Sequence, residues 1–318
     1  MTSLLDRLRG RRVGVVLSAG YFGFYGHAGF VEGLLERGIT PSAWSGSSAG
    51  GMVAAFAAAG IPPARMAELI VQQRREHFWD PDYLGIAVDA LRQGSRPSGL
   101  LKGERFAELL RQFLPVQTFE ALAVPLVLVA TNLSTQAPAV LQTGDLASAI
   151  HATCAYPGLF RAVRREAQLL WDGGIVDKAP ALALSEALAP HRPPAQGDAA
   201  ASAAEVRRPP QGEAAQAGRP LEVLLVHFLP SRDGAKEPSG ALAYASGMAN
   251  GFAAIRKDHF RLQLALLEAR GVEVHVVTSR LPPVSPGQMH RGPEAVGAGR
   301  ASILEALTRP PGTWTGED

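Results

Sequence analysis

Of 318 residues only one is a cysteine, Cys154, so no intrachain disulfide can form. The fold must be held by burial alone, and the lone thiol leans weakly towards a reducing compartment, the cytoplasm. Charge bias is missing too. Lys and Arg number 31 against 29 Asp and Glu, a net +2, with no basic stripe of the kind nucleic acids require, so no nucleic-acid partner is expected. Long apolar runs are also absent. The first, Val13 to Leu17, follows a polar and basic start and is too short for a secretion-signal core or a bilayer span. No later segment reaches spanning length without a charge or a turn, so the expectation is a cytoplasmic protein, with peripheral contact at a membrane surface compatible with it. No pair of His or Cys has metal-ligand spacing, so no catalytic metal and no cofactor are expected. The sequence leaves the oligomeric state open.

What is present is an ordinary globular composition, 47% hydrophobic and 19% charged, in a chain long enough to bury a sizeable core. Val13 to Leu17 reads as a buried strand, followed by glycines at 20, 23 and 26 and a helical pattern that ends at Gly38. Ile39 to Trp44 reads as a second strand, Gly51 to Ala59 as a small-residue helix, and Pro62-Pro63 opens another. Further strands are expected at Val124 to Thr131, Ala139 to Gln142, Leu221 to Phe228 and Val272 to Thr278. Helical spacing marks Phe106 to Leu114, Leu146 to Thr153 and Leu242 to Ala269. This alternation predicts one three-layer α/β/α domain with a mainly parallel central sheet, its core spanning 13–189 and 221–307. Pro190 to Pro220, rich in Ala, Pro, Gln and Gly, is expected to be a flexible insertion, and the tail 308–318 to be loose. Residues 76–103 are irregular, with a short helix expected around Ile86 to Leu91. Their apolar residues Phe78, Trp79, Tyr83, Leu84, Ile86, Leu100 and Leu101 suit either a cap over an acyl pocket or plain packing on the sheet.

The chemistry centres on Gly46-Ser47-Ser48-Ala49-Gly50, a Gly-x-Ser-x-Gly motif between a short apolar run and an alanine-rich helix. A serine hydroxyl becomes a nucleophile when a sharp strand-to-helix turn exposes it beside a base and opposite an oxyanion site. Asp172, in Leu170-Trp171-Asp172-Gly173-Gly174, is a candidate base, a carboxylate at a strand end on a flexible turn. On that segment alone, an aspartate bonded to its own turn is the simpler account. Oxyanion donors are expected among the backbone N–H groups of Gly20, Tyr21 and Gly23, with that of Ala49. The Gly-x-x-Gly-x-x-Gly spacing and the lack of a Walker lysine speak against a phosphate cradle there.

Three segments together resemble the patatin-like phospholipase family. Leu17-Ser18-Ala19-Gly20 through His27-Ala28-Gly29 looks like its glycine-rich oxyanion loop. Gly46 to Met52 is similar to its nucleophile elbow, and Ala149 to Phe160 leading into Asp172-Gly173-Gly174 to its aspartate block. The resemblance implies a catalytic dyad, Ser48 with Asp172 as general base, acting on lipid or phospholipid acyl esters through an acyl-enzyme. The family's glycine loop carries consecutive glycines and a following Arg or Lys, whereas this chain has Ala19, Tyr21 and Phe22. The family's Asn-x-Pro is replaced by Asp177-Lys178-Ala179-Pro180. Rival readings are a Ser-Asp-His esterase or thioesterase and a non-catalytic lipid- or acyl-binding relative. Of the histidines after Asp172, only His290 has loop-end context. His27, beside the glycine loop, suits a pH-sensitive supporting role or helix-start packing.

Overall fold

The computed structural model describes residues 2–71, 79–83, 99–189, 221–230, 243–285 and 287–316. The insertion expected at 190–220 and the short helix around 86–91 lie outside the described residues, as do Phe78 and Leu84.

The sheet is built around β1 (Val13–Leu17), buried along its whole length. It pairs in parallel with β2 (Ala43–Ser47) on one side and β9 (Val223–Phe228) on the other, and β9 pairs in parallel with β10 (Glu273–Thr278). Beyond β2 lies β4 (Leu126–Asn132), again parallel. Three strands then reverse direction: β5 (Ala137–Leu141), β7 (Val163–Arg165) and β8 (Gln168–Trp171). A separate pair joins β3 (Gly99–Leu101) to β6 (Gly158–Phe160). The sheet is thus mostly parallel with an antiparallel margin.

Alternation along the central strands divides the apolar side chains between two layers. Val13, Val15, Leu17, Val223 and Leu225 enter the larger core, with helices α2 (Phe24–Glu36), α3 (Ala49–Ala58) and α9 (Gly292–Thr308). Val16, Leu224, Val226 and Phe228 enter the smaller one, under α7 (Ala181–Ala187) and α8 (Ala243–Ala269). Each fully buried Leu, Val or Phe side chain contributes roughly 1.5–3 kcal/mol by leaving water. Short helices α1 (Leu4–Leu8) and α4 (Pro63–Val71), with α5 (Glu104–Phe113) and α6 (Leu146–Thr153), complete the elements.

Several boundaries differ from those expected, for local reasons. The second strand occupies Ala43–Ser47, because Pro41 has no N–H to give and the pairing with β1 starts at Ser42, whose N–H donates to Val13 O at 2.8 Å. Pro125 likewise delays β4 to Leu126. No element was expected at α9, whose three glycines lower its helix propensity. Gly299 of α9 and Gly29 of α2 serve a close helix crossing: a Cβ on Gly29 would lie 1.9 Å from Val296 O, and one on Gly299 would lie 2.0 Å from Gly26 O. The tail, expected to be loose, folds back: the Trp314 ring packs 4.9 Å from Phe260 and 5.2 Å from Phe228. Trp79, Leu100 and Leu101 gather with Ala155 and Phe160 in a small apolar cluster, whereas Tyr83 is 68% exposed.

Candidate active site

Leu128 and Val129 of β4 pair with β2 and β5 at once, while Thr131 and Asn132 pair with β5 and β8. Since a strand has two edges, β2 and β8 must share one of them and meet end to end. β2 delivers Ser48 as it leaves the sheet, and β8, running the opposite way, delivers Asp172 to the same gap. The fold thereby closes a sequence separation of 124 residues, and the Ser48 hydroxyl donates to Asp172 Oδ2 at 2.6 Å.

Both residues are held from several sides. Ser48 sits at φ 54°, ψ −128°, a conformation that L residues rarely adopt and that costs on the order of 1–3 kcal/mol. Its N–H donates to Thr153 Oγ1 at 2.9 Å, and that hydroxyl donates in turn to Val129 O at 2.5 Å. Asp172 Oδ1 accepts the Gly174 N–H at 2.7 Å, its carbonyl accepts Thr131 Oγ1 at 2.7 Å, and its N–H donates to Ala155 O at 3.0 Å. The carboxylate therefore caps its own turn and receives the serine hydroxyl at the same time. Thr153 and Thr131 carry no motif; a threonine inside a helix or a strand gives no local signal of such a role.

Asp172 is 3% exposed, and burial raises its pKa to about 6, against the opposing pull of the Ser48 and Gly174 hydrogen bonds and the charge of Arg256. A carboxylate so placed is a stronger base than a solvated one, yet it is still ionised at neutral pH. The half-buried Cys154 donates its thiol to Ser48 O at 3.2 Å. Burial first, and the Asp172 charge second, push that thiol well above its ordinary pKa, so it stays protonated and is no rival nucleophile.

The glycine turn lies beside the elbow. Gly23 N–H donates to Gly20 O at 2.8 Å and Ala19 N–H to Lys178 O at 2.7 Å, so both are engaged within the fold. The N–H groups of Gly20 and Tyr21 meet no acceptor among the described residues. Ala49 opens α3, a position whose N–H has no intrahelical partner. Tyr21 is 59% exposed, and its ring stands 6.5 Å from that of Tyr156, itself 53% exposed.

Among the described residues no histidine hydrogen-bonds to Ser48 or Asp172. His290 lies in a short 3-10 turn without buried residues, and His151 is buried between the rings of Phe106 and Phe160. Both ring nitrogens of His27 are engaged elsewhere. Its Nε2 bonds to Ser18 O at 2.8 Å, and its Nδ1 lies 2.8 Å from His227 Nδ1. His227 Nε2 meets Ser279 Oγ at 2.7 Å; Ser279 Oγ meets Ser302 Oγ, whose hydroxyl donates to Gly299 O at 2.8 Å. Burial, with the nearby Lys178 charge, lowers the His27 pKa to about 4, and burial takes that of His227 well below its usual value. Of the residues that replace the family's Asn-x-Pro, Asp177 turns towards α8 and accepts Gln263 Nε2 at 2.9 Å. Lys178 is buried, its Nζ 4.6 Å from the centre of the Phe228 ring. No group of three His, Cys, Asp or Glu side chains that could hold a metal ion occurs among the described residues. No helix among them is long and apolar enough to cross a membrane.

Residues 15–185 match the family model described as patatin-like phospholipase. Uncharacterized NTE family proteins of Mycobacterium tuberculosis (strain ATCC 25618 / H37Rv) and Mycobacterium bovis (strain ATCC BAA-935 / AF2122/97) are each 31% identical to this chain over 179 residues, 55% of it and 46% of the relative. A second such M. bovis protein is 29% identical over 182 residues, 56% of this chain and 29% of that one. The matched region spans less than half the length of each of these curated relatives. Among solved structures, VipD from Legionella pneumophila is similar with a TM-score of 0.42 and 16% identity, covering 93% of this chain and 66% of that one. The heterodimeric ExoU–SpcU complex of the Pseudomonas aeruginosa type III secretion system gives a TM-score of 0.37 and 16% identity, covering 95% and 53%.

Proposed function

Because this chain belongs to the patatin-like phospholipase family, we propose that it is a serine acyl-ester hydrolase of lipids or phospholipids working through a Ser48–Asp172 dyad. The observation that carries the reading is the 2.6 Å bond from Ser48 Oγ to a buried carboxylate, made by a serine in a strained strand-to-helix turn. Asp172 takes the hydroxyl proton as Oγ attacks the ester carbonyl carbon. The negative charge that forms on the carbonyl oxygen is met by the free N–H groups of Gly20 and Tyr21 and by that of Ala49. Collapse breaks the ester bond, the leaving alcohol takes the proton from Asp172, and the acyl group stays on Ser48. Asp172 then removes a proton from water, which attacks the acyl carbon and releases the fatty acid, with the proton returning to Ser48 Oγ. We further propose that residues 13–189 and 221–307 form one catalytic domain, since β9 and β10 continue the sheet that carries β1 and β2.

Labelling with a fluorophosphonate and hydrolysis of short esters, lysophospholipids and diacyl phospholipids test this reading. The wild type is expected to be labelled at Ser48 and to turn over at least one ester class. Ser48→Ala and Asp172→Asn are each expected to lower kcat by on the order of a thousandfold or more. An unlabelled, folded wild type would falsify the enzymatic reading, and a histidine as essential as Ser48 would replace the dyad with a triad.

A further inference from the structure

The glycine turn and the elbow contain no Lys or Arg between Ser18 and Gly29 or between Trp44 and Ala59. A cation reaches the turn that follows Asp172 from another element. Arg256, half-buried on α8, donates from Nη1 to Gly174 O at 3.0 Å and from Nε to Phe252 O at 3.2 Å. Gly174 is the residue whose N–H holds Asp172 Oδ1. The guanidinium is thus one residue away from the base, and it is close enough to Asp172 for the carboxylate's charge to act on it.

Its bonding differs from that of other arginines in the chain. Arg161 holds Asp82 at 2.8 Å and Arg300 holds Glu36 at 2.7 Å. Arg256 bonds two backbone carbonyls and makes no ion pair with a carboxylate among the described residues. Of the five N–H donors of a guanidinium, three are left over after these bonds. A partly desolvated guanidinium with unfilled donors is costly, and an anion with forked acceptors fills them best.

We infer that Arg256 forms an anion subsite beside the dyad that takes the phosphate of a phospholipid or lysophospholipid whose acyl ester lies at Ser48. The inference rests on the hydrolase reading for the ester but not for the phosphate. It gives the chain a preference for phosphate-bearing esters over neutral glycerides, supplied from α8 in place of the glycine loop. Arg256 is a binding residue in this scheme, not a proton-transfer group.

The test pairs two substrates that differ only in the phosphate, oleoyl lysophosphatidate and mono-oleoylglycerol, in detergent micelles with the full chain. Arg256→Met is expected to lower kcat/KM for lysophosphatidate by about tenfold or more beyond its effect on mono-oleoylglycerol, mainly through KM, with Arg256→Lys recovering part of the loss. Inorganic phosphate should compete with lysophosphatidate in the wild type and fail to do so in Arg256→Met. Equal losses on both substrates would overturn the subsite and leave Arg256 as a prop for the Gly174 turn. Equal inhibition of both forms by free phosphate would overturn it as well. Binding of lysophosphatidate to Ser48→Ala, with and without Arg256→Met, reads the subsite without turnover. If the wild type hydrolyses neither substrate while this binding still weakens about tenfold, the hydrolase reading fails and the subsite stands; if the binding is unchanged, the subsite fails on its own.

Discussion

Two turns that look alike in the sequence, the elbow at Gly46–Gly50 and the glycine turn at Gly20–Gly26, are constrained in different ways. Each links a strand to a helix, and each holds one non-glycine residue at φ 54°, Ser48 in the first and Phe22 in the second. At the elbow, glycine is required by backbone. A Cβ on Gly50 would lie 2.2 Å from Leu17 O, and one on Gly46 would lie 2.6 Å from Gly50 C. In the glycine turn the nearest obstacle to a Cβ is a side-chain tip, Leu229 Cδ1, at 2.9 Å from Gly20 and 2.5 Å from Gly23. Main chain cannot step aside, whereas a leucine tip can rotate or be trimmed. The elbow therefore keeps the family's spelling, and the glycine turn has room to depart from it with Ala19, Tyr21 and Phe22.

Gly50→Ala puts this contrast to its hardest test. It should destabilise the chain by roughly 4 kcal/mol or abolish soluble folding, read by chemical denaturation, because both β1 and α3 would have to move. A loss near 1 kcal/mol would erase the difference between the turns. Next in size is the carboxylate that the rigid elbow faces. Its folded pKa, about 6, lies above the ordinary carboxylate value of 3.8, so the ionised form is disfavoured in the native state. Stability lost to this group is fully present above pH 6 and is relieved as pH falls from about 6 towards 3.8. Asp172→Asn should therefore raise stability at pH 7–8 by up to about 3 kcal/mol while removing turnover, the gain shrinking below pH 6. In the wild type, kcat/KM should fall about tenfold per pH unit below pH 6. An acid limb centred near pH 4 would mean that the carboxylate is better solvated than its burial implies.

Smaller again is Gly20→Ala, expected to cost about 1–2 kcal/mol, with Leu229→Ala added to it recovering at least 0.5 kcal/mol relative to the sum of the single effects. Strict additivity would show that backbone, not Leu229, sets the limit at this turn.

The same distinction governs what could be read in the residues alone. The parallel strands and the elbow were legible because apolar runs and glycines report on burial and close approach. Asp172 stood out by its neighbours Gly173 and Gly174, yet on those residues alone a turn aspartate was the simpler account, and the end-to-end meeting of β2 and β8 that unites it with Ser48 is a property of sheet topology. Arg256 gave no signal, being one charged position in an amphipathic pattern. The helix at Gly292–Thr308 was hidden because its glycines, two of them (Gly292 and Gly299) packed against α2, oppose its own propensity.

The chain of polar groups running from Ser18 through His27, His227, Ser279 and Ser302 to Gly299 can be treated as a count of hydrogens. Both ends are carbonyls, and the five contacts between them each need one hydrogen. Two neutral imidazoles and two hydroxyls supply only four, so one contact in the neutral chain must be oxygen or nitrogen facing a lone pair. Removing the Ser302 hydroxyl leaves three contacts and three hydrogens, with every ring nitrogen served. Removing that of Ser279 instead strands His227 Nε2 without a donor. Ser302→Ala should thus cost less than about 0.5 kcal/mol, and Ser279→Ala roughly 1–3 kcal/mol, in thermal or chemical denaturation near pH 7. Equal costs would mean that the missing hydrogen is present and that a proton is held at the buried histidine pair, behind the turn proposed to carry the oxyanion donors.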